Sequence, residues 1–263
     1  MVWEVGKGEH VSYLAGTVHF SRYSYRKPLT SLISRTHVTL FEGPLDETSQ
    51  ARIARYGMEG PGEASLVRAL DARTARAINR YFAQNLTTSR TSVDSMLGSL
   101  GSAPFLDQYV DARPWMTFFQ VWSAYLKTQG WNYSEDMEAL GIANRLGRKV
   151  EFLESIEEQF AALDAVPFER FVRFMGEFDH WGRYARRFVR HLERGTLDAL
   201  LPTTSHFPTR CDSIISQRDP VFFERVKPFF EAGSTVALLG ISHSPGVIAR
   251  LRDDGFAVRQ VVA

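Results

Sequence analysis

Short, nearly continuous apolar runs alternate along the chain with longer stretches in which apolar residues recur every three or four positions. Each change from one pattern to the other marks the end of a predicted element. Short apolar runs at residues 11–15, 38–41, 149–153 and 235–239 have the length and composition of buried strands. Longer stretches between them carry apolar residues three and four positions apart, which is the period of an amphipathic helix. Strand–helix–strand order at both ends of the chain, with helices between, predicts an α/β protein.

The two ends of the chain carry the remaining strand signals. Residues 3–5 and 11–15 flank a short glycine-containing link, which predicts a β-hairpin, and residues 256–262 predict a closing strand. The other periodic stretches predict helices, and residues 85–103, rich in Ser, Thr and Gly, predict a loop or a lid. The helices are expected at residues 28–34, 66–82, 105–126, 136–146, 168–194, 212–231 and 245–254, with a further one starting at the capping-box pair Ser155 and Glu158. The region 105–126 is expected to be broken, or to begin, at Arg113 and Pro114.

Two of the predicted strands are followed by the same short pattern, Gly-x-x-His. It runs from Gly16 to His19 after the second strand and from Gly240 to His243 near the other end of the chain. A glycine there lets the chain turn sharply and brings its backbone close to a ligand. In open α/β sheets ligands bind beyond the carboxyl ends of the strands. The two histidines are therefore the leading candidates for a site.

Two glutamates occupy matching positions at the ends of other strands. Glu42 follows the run 38–41 directly, and Glu154 follows the run 149–153. If these strands are parallel neighbours, about 5 Å apart, both glutamates can meet His19 and His243 in one pocket. Two imidazoles and a carboxylate suit a divalent ion that activates a bound water. A purely structural role for each histidine is the alternative, and the matched contexts favour a site.

Composition and charge exclude several classes of protein. The chain has 263 residues, 44% hydrophobic and 23% charged, which suits a globular protein, and we expect one domain over residues 1–263. A formal net charge of +1 gives no reason to expect a nucleic-acid partner. One cysteine, Cys211, excludes an internal disulfide and a multi-cysteine zinc site. Without a signal-peptide pattern or a long apolar run, we expect a cytoplasmic protein with no membrane partner.

Several motifs together resemble the TraB/GumN family, which includes the TIKI metalloproteases. The resemblance implies an α/β fold related to the erythromycin-esterase and ChaN haem-binding proteins. In that fold two facing β-α halves with mixed sheets surround a central cleft, and a large helical insertion occupies the middle of the chain. The similar segments are residues 13–20, 40–44, 113–115, 136–150, 153–155, 158–159, 217–219 and 239–246, with Leu251 and Gly255 continuing the last one.

The resemblance also implies roles for particular residues. Metal binding and catalysis fall to His19, Glu42 and His243, with Mn²⁺, Co²⁺ or Zn²⁺ as the expected ion. Glu154 and Arg218 are implied as supporting catalytic residues. A second supporting set is expected near a bound cofactor or substrate, and Asp219 stands where relatives usually have asparagine. That second set comprises Gly16, Gly240, Arg113 and Asp136.

The leading hypothesis is a peptidase-like, metal-dependent hydrolase that acts on a peptide or small-molecule substrate. Arg218 or Arg113 would bind a substrate carboxylate or the developing oxyanion. One alternative is a non-catalytic protein that binds a peptide or haem with the same histidines. The other is a metal-free esterase in which histidine and glutamate act as acid and base.

Overall fold

Six strands, all close to their predicted positions, build one mixed sheet. The computed structural model describes residues 1–60, 64–86 and 104–261, and within these ranges the strands are β1 (Val2–Lys7), β2 (His10–Thr17), β3 (Val38–Phe41), β4 (Lys149–Phe152), β5 (Thr235–Gly240) and β6 (Ala257–Val261). Their order is β4-β3-β5-β2-β1-β6. The α/β class is confirmed, and these strands form a single sheet instead of being divided between two facing halves.

Four neighbouring strands run in the same direction. β4, β3, β5 and β2 pair parallel, whereas β1 pairs antiparallel with both β2 and β6. The predicted hairpin is present: β1 and β2 are joined through Gly8 and Glu9, and Gly8 has a φ of 61°, a conformation that glycine adopts without strain. All four parallel strands therefore end at the same edge of the sheet.

Helices cover both faces of the sheet and fill the middle of the chain. No helix in the described ranges combines the length and the apolar content that a bilayer crossing needs. In those ranges the helices are α1 (Arg26–Ser34), α2 (Glu47–Met58), α3 (Leu66–Ala69), α4 (Ala72–Leu86), α5 (Pro114–Thr128), α6 (Glu135–Arg145), α7 (Ile156–Asp164), α8 (Phe168–Gly176), α9 (Trp181–Glu193), α10 (Leu197–Thr203), α11 (Arg218–Ala232) and α12 (Ser244–Asp253).

Alternation along the strands divides the sheet's apolar side chains between two layers. Leu14 and Leu239 point to one face and pack with residues of α11 and α12, such as Val226. Ala15 and Leu238 point to the other face and pack with residues of α1 and α6. Because both faces are buried at the centre of the sheet, the central strand β5 is an almost continuous apolar run in the sequence, as expected for a parallel strand.

The central helices form a separate aromatic core. Trp122 and Trp181 meet edge to face with ring centroids 5.0 Å apart, and Phe118 and Phe174 pack beside them. Edge-to-face contacts of this kind add to the free energy that burial alone supplies. The helical middle region expected from the sequence is therefore a folded layer with its own core.

The predicted helix over residues 66–82 is divided in the structure. Asp71 accepts hydrogen bonds from the backbone N–H groups of Arg73 and Thr74 and so caps a new helix. The long helix predicted over residues 168–194 is also divided. There the indole of Trp181 donates to the carbonyl of Phe174, which leaves that oxygen satisfied at the end of α8.

Other boundaries differ more modestly. The helix expected from residue 212 begins at Arg218. The helices α2 and α10 were not predicted, because α2 is mostly exposed and α10 is only seven residues long, so that each gives little periodic signal. The capping box of Ser155 and Glu158 is confirmed at the start of α7. Of the predicted loop or lid at residues 85–103, residues 87–103 lie outside the described part of the chain.

Candidate functional site

The predicted site residues follow the four parallel strands at one edge of the sheet. Glu42 comes directly after β3, Glu154 two residues after β4, and His19 two residues after β2. His243 follows β5 by three residues and precedes α12. Backbone pairing continues past the strands, since the N–H of Glu154 donates to the carbonyl of Glu42 over 2.8 Å. The strand ends thus stay in register where the functional side chains begin.

The two glycines of the Gly-x-x-His patterns provide room for neighbouring groups. Neither Gly16 nor Gly240 has a positive φ. A Cβ atom on Gly16 would lie 2.2 Å from Cδ1 of Ile241, so that glycine allows the two Gly-x-x-His segments to pack together. A Cβ atom on Gly240 would lie 3.1 Å from Oε1 of Glu42. Close packing between the two patterns therefore accounts for glycine at both positions, and the approach of a ligand to their backbone stays a prediction.

Glu42 is anchored by a backbone group. Its Oε1 accepts a hydrogen bond from the N–H of Gly240 over 2.5 Å and lies 3.8 Å from Nε2 of His243. Burial alone would raise the pKa of Glu42, but the charge that His243 carries when it is protonated, the charges of Arg218 and His19, and the Gly240 N–H hold it below its usual range. The carboxylate is therefore ionised at neutral pH.

His243 is held by an aspartate. It is 2% exposed, and its Nδ1 lies 2.7 Å from Oδ1 of Asp219. Its other nitrogen, Nε2, lies 3.5 Å from Nη1 of Arg218, and the ring meets Phe222 edge to face. Because a guanidinium has only donors, this contact favours the tautomer with the proton on Nδ1 and a free electron pair on Nε2.

His19 is held in the same way by a different element. Its Nδ1 lies 2.8 Å from Oδ2 of Asp136, the second residue of α6. Removal from water favours the neutral ring, but the hydrogen bond and charge of Asp136, with the charge of Glu42, raise the pKa of His19 to about 9. The side chain remains 68% exposed, so water screens part of this attraction. The ring is thus an exposed cation at neutral pH.

The residue before Asp136 holds the backbone of the first Gly-x-x-His. Oε2 of Glu135 accepts a hydrogen bond from the N–H of Val18 over 3.1 Å. Burial raises the pKa of Glu135 to about 7, against the opposing effect of that hydrogen bond. The first turn of α6 therefore contacts this segment twice, once at the backbone of Val18 and once at the ring of His19.

Arg218 and Glu154 form an ion pair beside Glu42. Nε and Nη2 of Arg218 donate to the two carboxylate oxygens of Glu154 over 3.0 and 2.5 Å, and Nη2 lies 3.4 Å from Oε2 of Glu42. The side chains are 15% and 3% exposed. Burial lowers the pKa of Arg218, but its two carboxylate neighbours reverse this effect and raise it overall. The guanidinium is therefore a fixed positive group between two acidic side chains.

Arg113 does not join this group among the described residues. Its guanidinium donates to the carbonyl of Tyr56 and to Oδ2 of Asp164, and it lies over the Tyr56 ring. Trp115 donates to the other oxygen of Asp164 over 2.8 Å. The segment 113–115 thus anchors α5 to α2 and α7, so the suggestion that Arg113 binds the substrate has no contact in its favour.

The fit of a single metal ion depends on these contacts. The separation of 3.8 Å between His243 Nε2 and Glu42 Oε1 suits two ligands of one ion. The guanidinium of Arg218, however, contacts the side chains of both His243 and Glu42. The described residues contain no group of three or more His, Cys, Asp or Glu side chains placed to hold a metal. The arrangement as it stands therefore does not fit the expected three-ligand centre.

Two contributors to this site were missed or left without a role by sequence reasoning. Asp219 was noted only as a departure from a family pattern, and Glu135 was not singled out. Both lie in the first turn of a helix, and neither lies near its partner in the sequence. The available signal was an acidic residue in the first turn of each helix, which is common for electrostatic reasons alone.

Comparison with known families agrees with this architecture. The profile of the TraB/PrgY/gumN family matches residues 1–260, essentially the whole chain. The chain belongs to this family. A search of curated proteins found no match.

Proposed function

We propose that this chain is a hydrolase whose working groups are Glu42, His19, His243 and Arg218. The main support is that two aspartate-held histidines accompany a buried glutamate and a buried arginine at one sheet edge. A base, an acid and a fixed cation are the groups that water activation and oxyanion stabilisation require. The neighbouring aspartates would hold each imidazole in one orientation and tautomer, as in other histidine-dependent enzymes.

Glu42 serves as the general base. It is ionised at neutral pH, and the Gly240 N–H holds it in place. A water molecule bound at this place donates one hydrogen bond to the carboxylate of Glu42 and one to Nε2 of His243. As its oxygen attacks the substrate carbonyl carbon, Glu42 takes up the proton that the water loses.

Arg218 and His19 act on the other side of the reaction. Arg218 donates hydrogen bonds to the carbonyl oxygen as negative charge develops there. The raised pKa of His19 keeps a proton available for the leaving group as its bond to the carbonyl carbon breaks. Glu42 then releases its proton to solvent and His19 is reprotonated, which returns the site to its starting state.

A metal-dependent version of the same hydrolase is the second candidate. It is favoured by the Asp136–His19 and Asp219–His243 pairs, because carboxylates commonly hold the distal nitrogen of metal-binding histidines. Against it stand the position of Arg218 beside Glu42 and His243 and the charge on His19. The resemblance implies Mn²⁺, Co²⁺ or Zn²⁺, and metal content distinguishes the two versions.

The test is a hydrolysis panel of nitrophenyl esters and fluorogenic peptides. Purified protein is assayed after chelator treatment and again with each added metal, beside His19→Ala and His243→Ala. If the metal-stripped protein hydrolyses a substrate and both histidine variants fail to do so, the acid–base version is supported. Hydrolysis that needs an added ion supports the metal version.

A negative result would also be informative. Absence of turnover in every arm, or turnover unaffected by both histidine variants, contradicts the hydrolase proposal. Titration of the same protein with haem and with the peptide panel then tests the expectation of a binding protein, with the two histidine variants as controls.

A further inference from the structure

A cavity of about 250 Å³ lies between α7 and α11, beside the Arg218–Glu154 pair. Ala161 and Ala162 form its wall on α7, and Val221 and Phe222 form its wall on α11. Val221 is 38% exposed, which is high for a large apolar side chain. At about 30 Å³ for each group the size of a water molecule, the space fits a chain of roughly six to eight such groups.

The charged groups at this cavity compensate one another. Arg225 donates to both carboxylate oxygens of Glu158 over 2.9 and 2.6 Å, and Arg218 donates to both oxygens of Glu154. Each arginine thus has its own carboxylate partner. A charged ligand group would have to compete with one of these pairs, whereas an uncharged apolar group would contact the walls at no such cost.

One residue that lines the cavity also contacts the proposed catalytic groups. Arg218 lines it and at the same time reaches Oε2 of Glu42 over 3.4 Å and Nε2 of His243 over 3.5 Å. A molecule bound in the cavity would therefore contact Arg218, whose guanidinium contacts Glu42 in turn.

We propose that this cavity is a substrate subsite that binds an uncharged, mainly apolar group next to the bond that is cut, such as a six-carbon acyl chain or a leucine-sized side chain. This inference rests on the proposed hydrolase function. It assigns specificity to the α7 wall and to the Arg225–Glu158 pair, neither of which takes part in the proposed chemistry.

The test compares nitrophenyl acetate, butyrate and hexanoate with three proteins. The kcat/KM of the wild type should be at least tenfold higher for the hexanoate than for the butyrate or the acetate, since each buried methylene raises kcat/KM about fourfold. Ala161→Phe fills the cavity from an exposed position and should remove that preference. Ala165→Phe, exposed at the end of α7 and outside the cavity, should keep it. An unchanged preference in Ala161→Phe overturns the proposal.

A second variant tests the charge argument. Glu158→Gln leaves Arg225 without its carboxylate partner, so Arg225 can pair with a carboxylate on the substrate. The kcat/KM for the nitrophenyl monoester of glutaric acid, divided by that for nitrophenyl hexanoate, should therefore rise several-fold. If that ratio does not change, the paired charges do not set the specificity.

Binding of hexanamide, followed by ligand-observed NMR, separates this inference from the hydrolase proposal. If no ester is turned over, hexanamide binding that is lost in Ala161→Phe and kept in Ala165→Phe supports the subsite while the hydrolase function fails. Absence of binding by the wild type overturns the subsite.

Discussion

A Cβ atom built on Gly246 would lie 1.8 Å from Oδ2 of Asp219. The missing side chain of Gly246 therefore leaves the space in the first turn of α12 that the carboxylate of Asp219 occupies. Since the other oxygen of Asp219 contacts His243 Nδ1, the geometry of the imidazole depends on the absence of a side chain at residue 246.

Gly246→Ala should move Asp219 away from His243 and lower hydrolytic activity about 10- to 100-fold, the usual effect of losing a residue that orients a functional histidine. Steady-state kinetics and thermal unfolding measure this. Gly176→Ala is the matched control, because a Cβ there meets nothing within 4 Å in the helix α8. Equal activities in the two variants would show that Asp219 does not position His243.

Removing Arg218 should destabilise the fold more than removing an exposed arginine. Arg218→Ala leaves Glu154, 3% exposed, buried without its partner, and we expect a loss of about 3–5 kcal/mol in the free energy of unfolding. Arg52→Ala breaks a pair whose side chains are 48% and 65% exposed and should cost less than about 1 kcal/mol. Urea unfolding compares them, and losses of similar size would contradict the buried-pair account.

Stability should fall in acid through Glu158. The hydrogen bonds from Arg225 lower the pKa of Glu158 from 4.5 to about 2. A depressed pKa adds stability that is complete above the unfolded value and is lost as the pH falls through the folded value. The contribution should thus disappear between about pH 5 and pH 2. Glu158→Gln should flatten that part of the stability curve, and an unchanged slope would argue against the pair.

The pKa of His19 should depend on Asp136. In metal-stripped protein, NMR titration of the imidazole should give a value of about 9, and Asp136→Asn should lower it towards 6.5. A raised pKa means that His19 contributes stability below its unfolded pKa and loses it as the pH rises through about 9. An identical titration in both proteins would place the cause elsewhere.

Much of the sheet was predictable because its signals are local. The run 38–41 consists of β-branched and apolar residues and is terminated by Gly43 and Pro44, so both the strand β3 and the position of Glu42 at its tip were read from neighbouring residues. The divided helices were less accessible. The break before Trp181 depends on its indole reaching Phe174, a contact that a helical period does not reveal.

The arrangement of the site depends on contacts across long sequence separations. Glu42 meets Gly240, which is 198 residues away, and His19 meets Asp136, which is 117 residues away. The Gly-x-x-His spacing indicates which strands carry histidines. It does not reveal that the glycines make room for Ile241 and for Glu42, because those neighbours come from tertiary packing.

The most direct test of the central claim is the kcat/KM of Glu42→Gln on the best substrate of the hydrolysis panel. Glutamine keeps an oxygen that can accept the Gly240 N–H but cannot take a proton from water. Glu151→Gln, on the half-exposed neighbouring strand β4, is the control. We predict a loss of at least 100-fold for Glu42→Gln with its melting temperature retained and no loss for the control. Activity within about twofold of the wild type in Glu42→Gln would contradict the account.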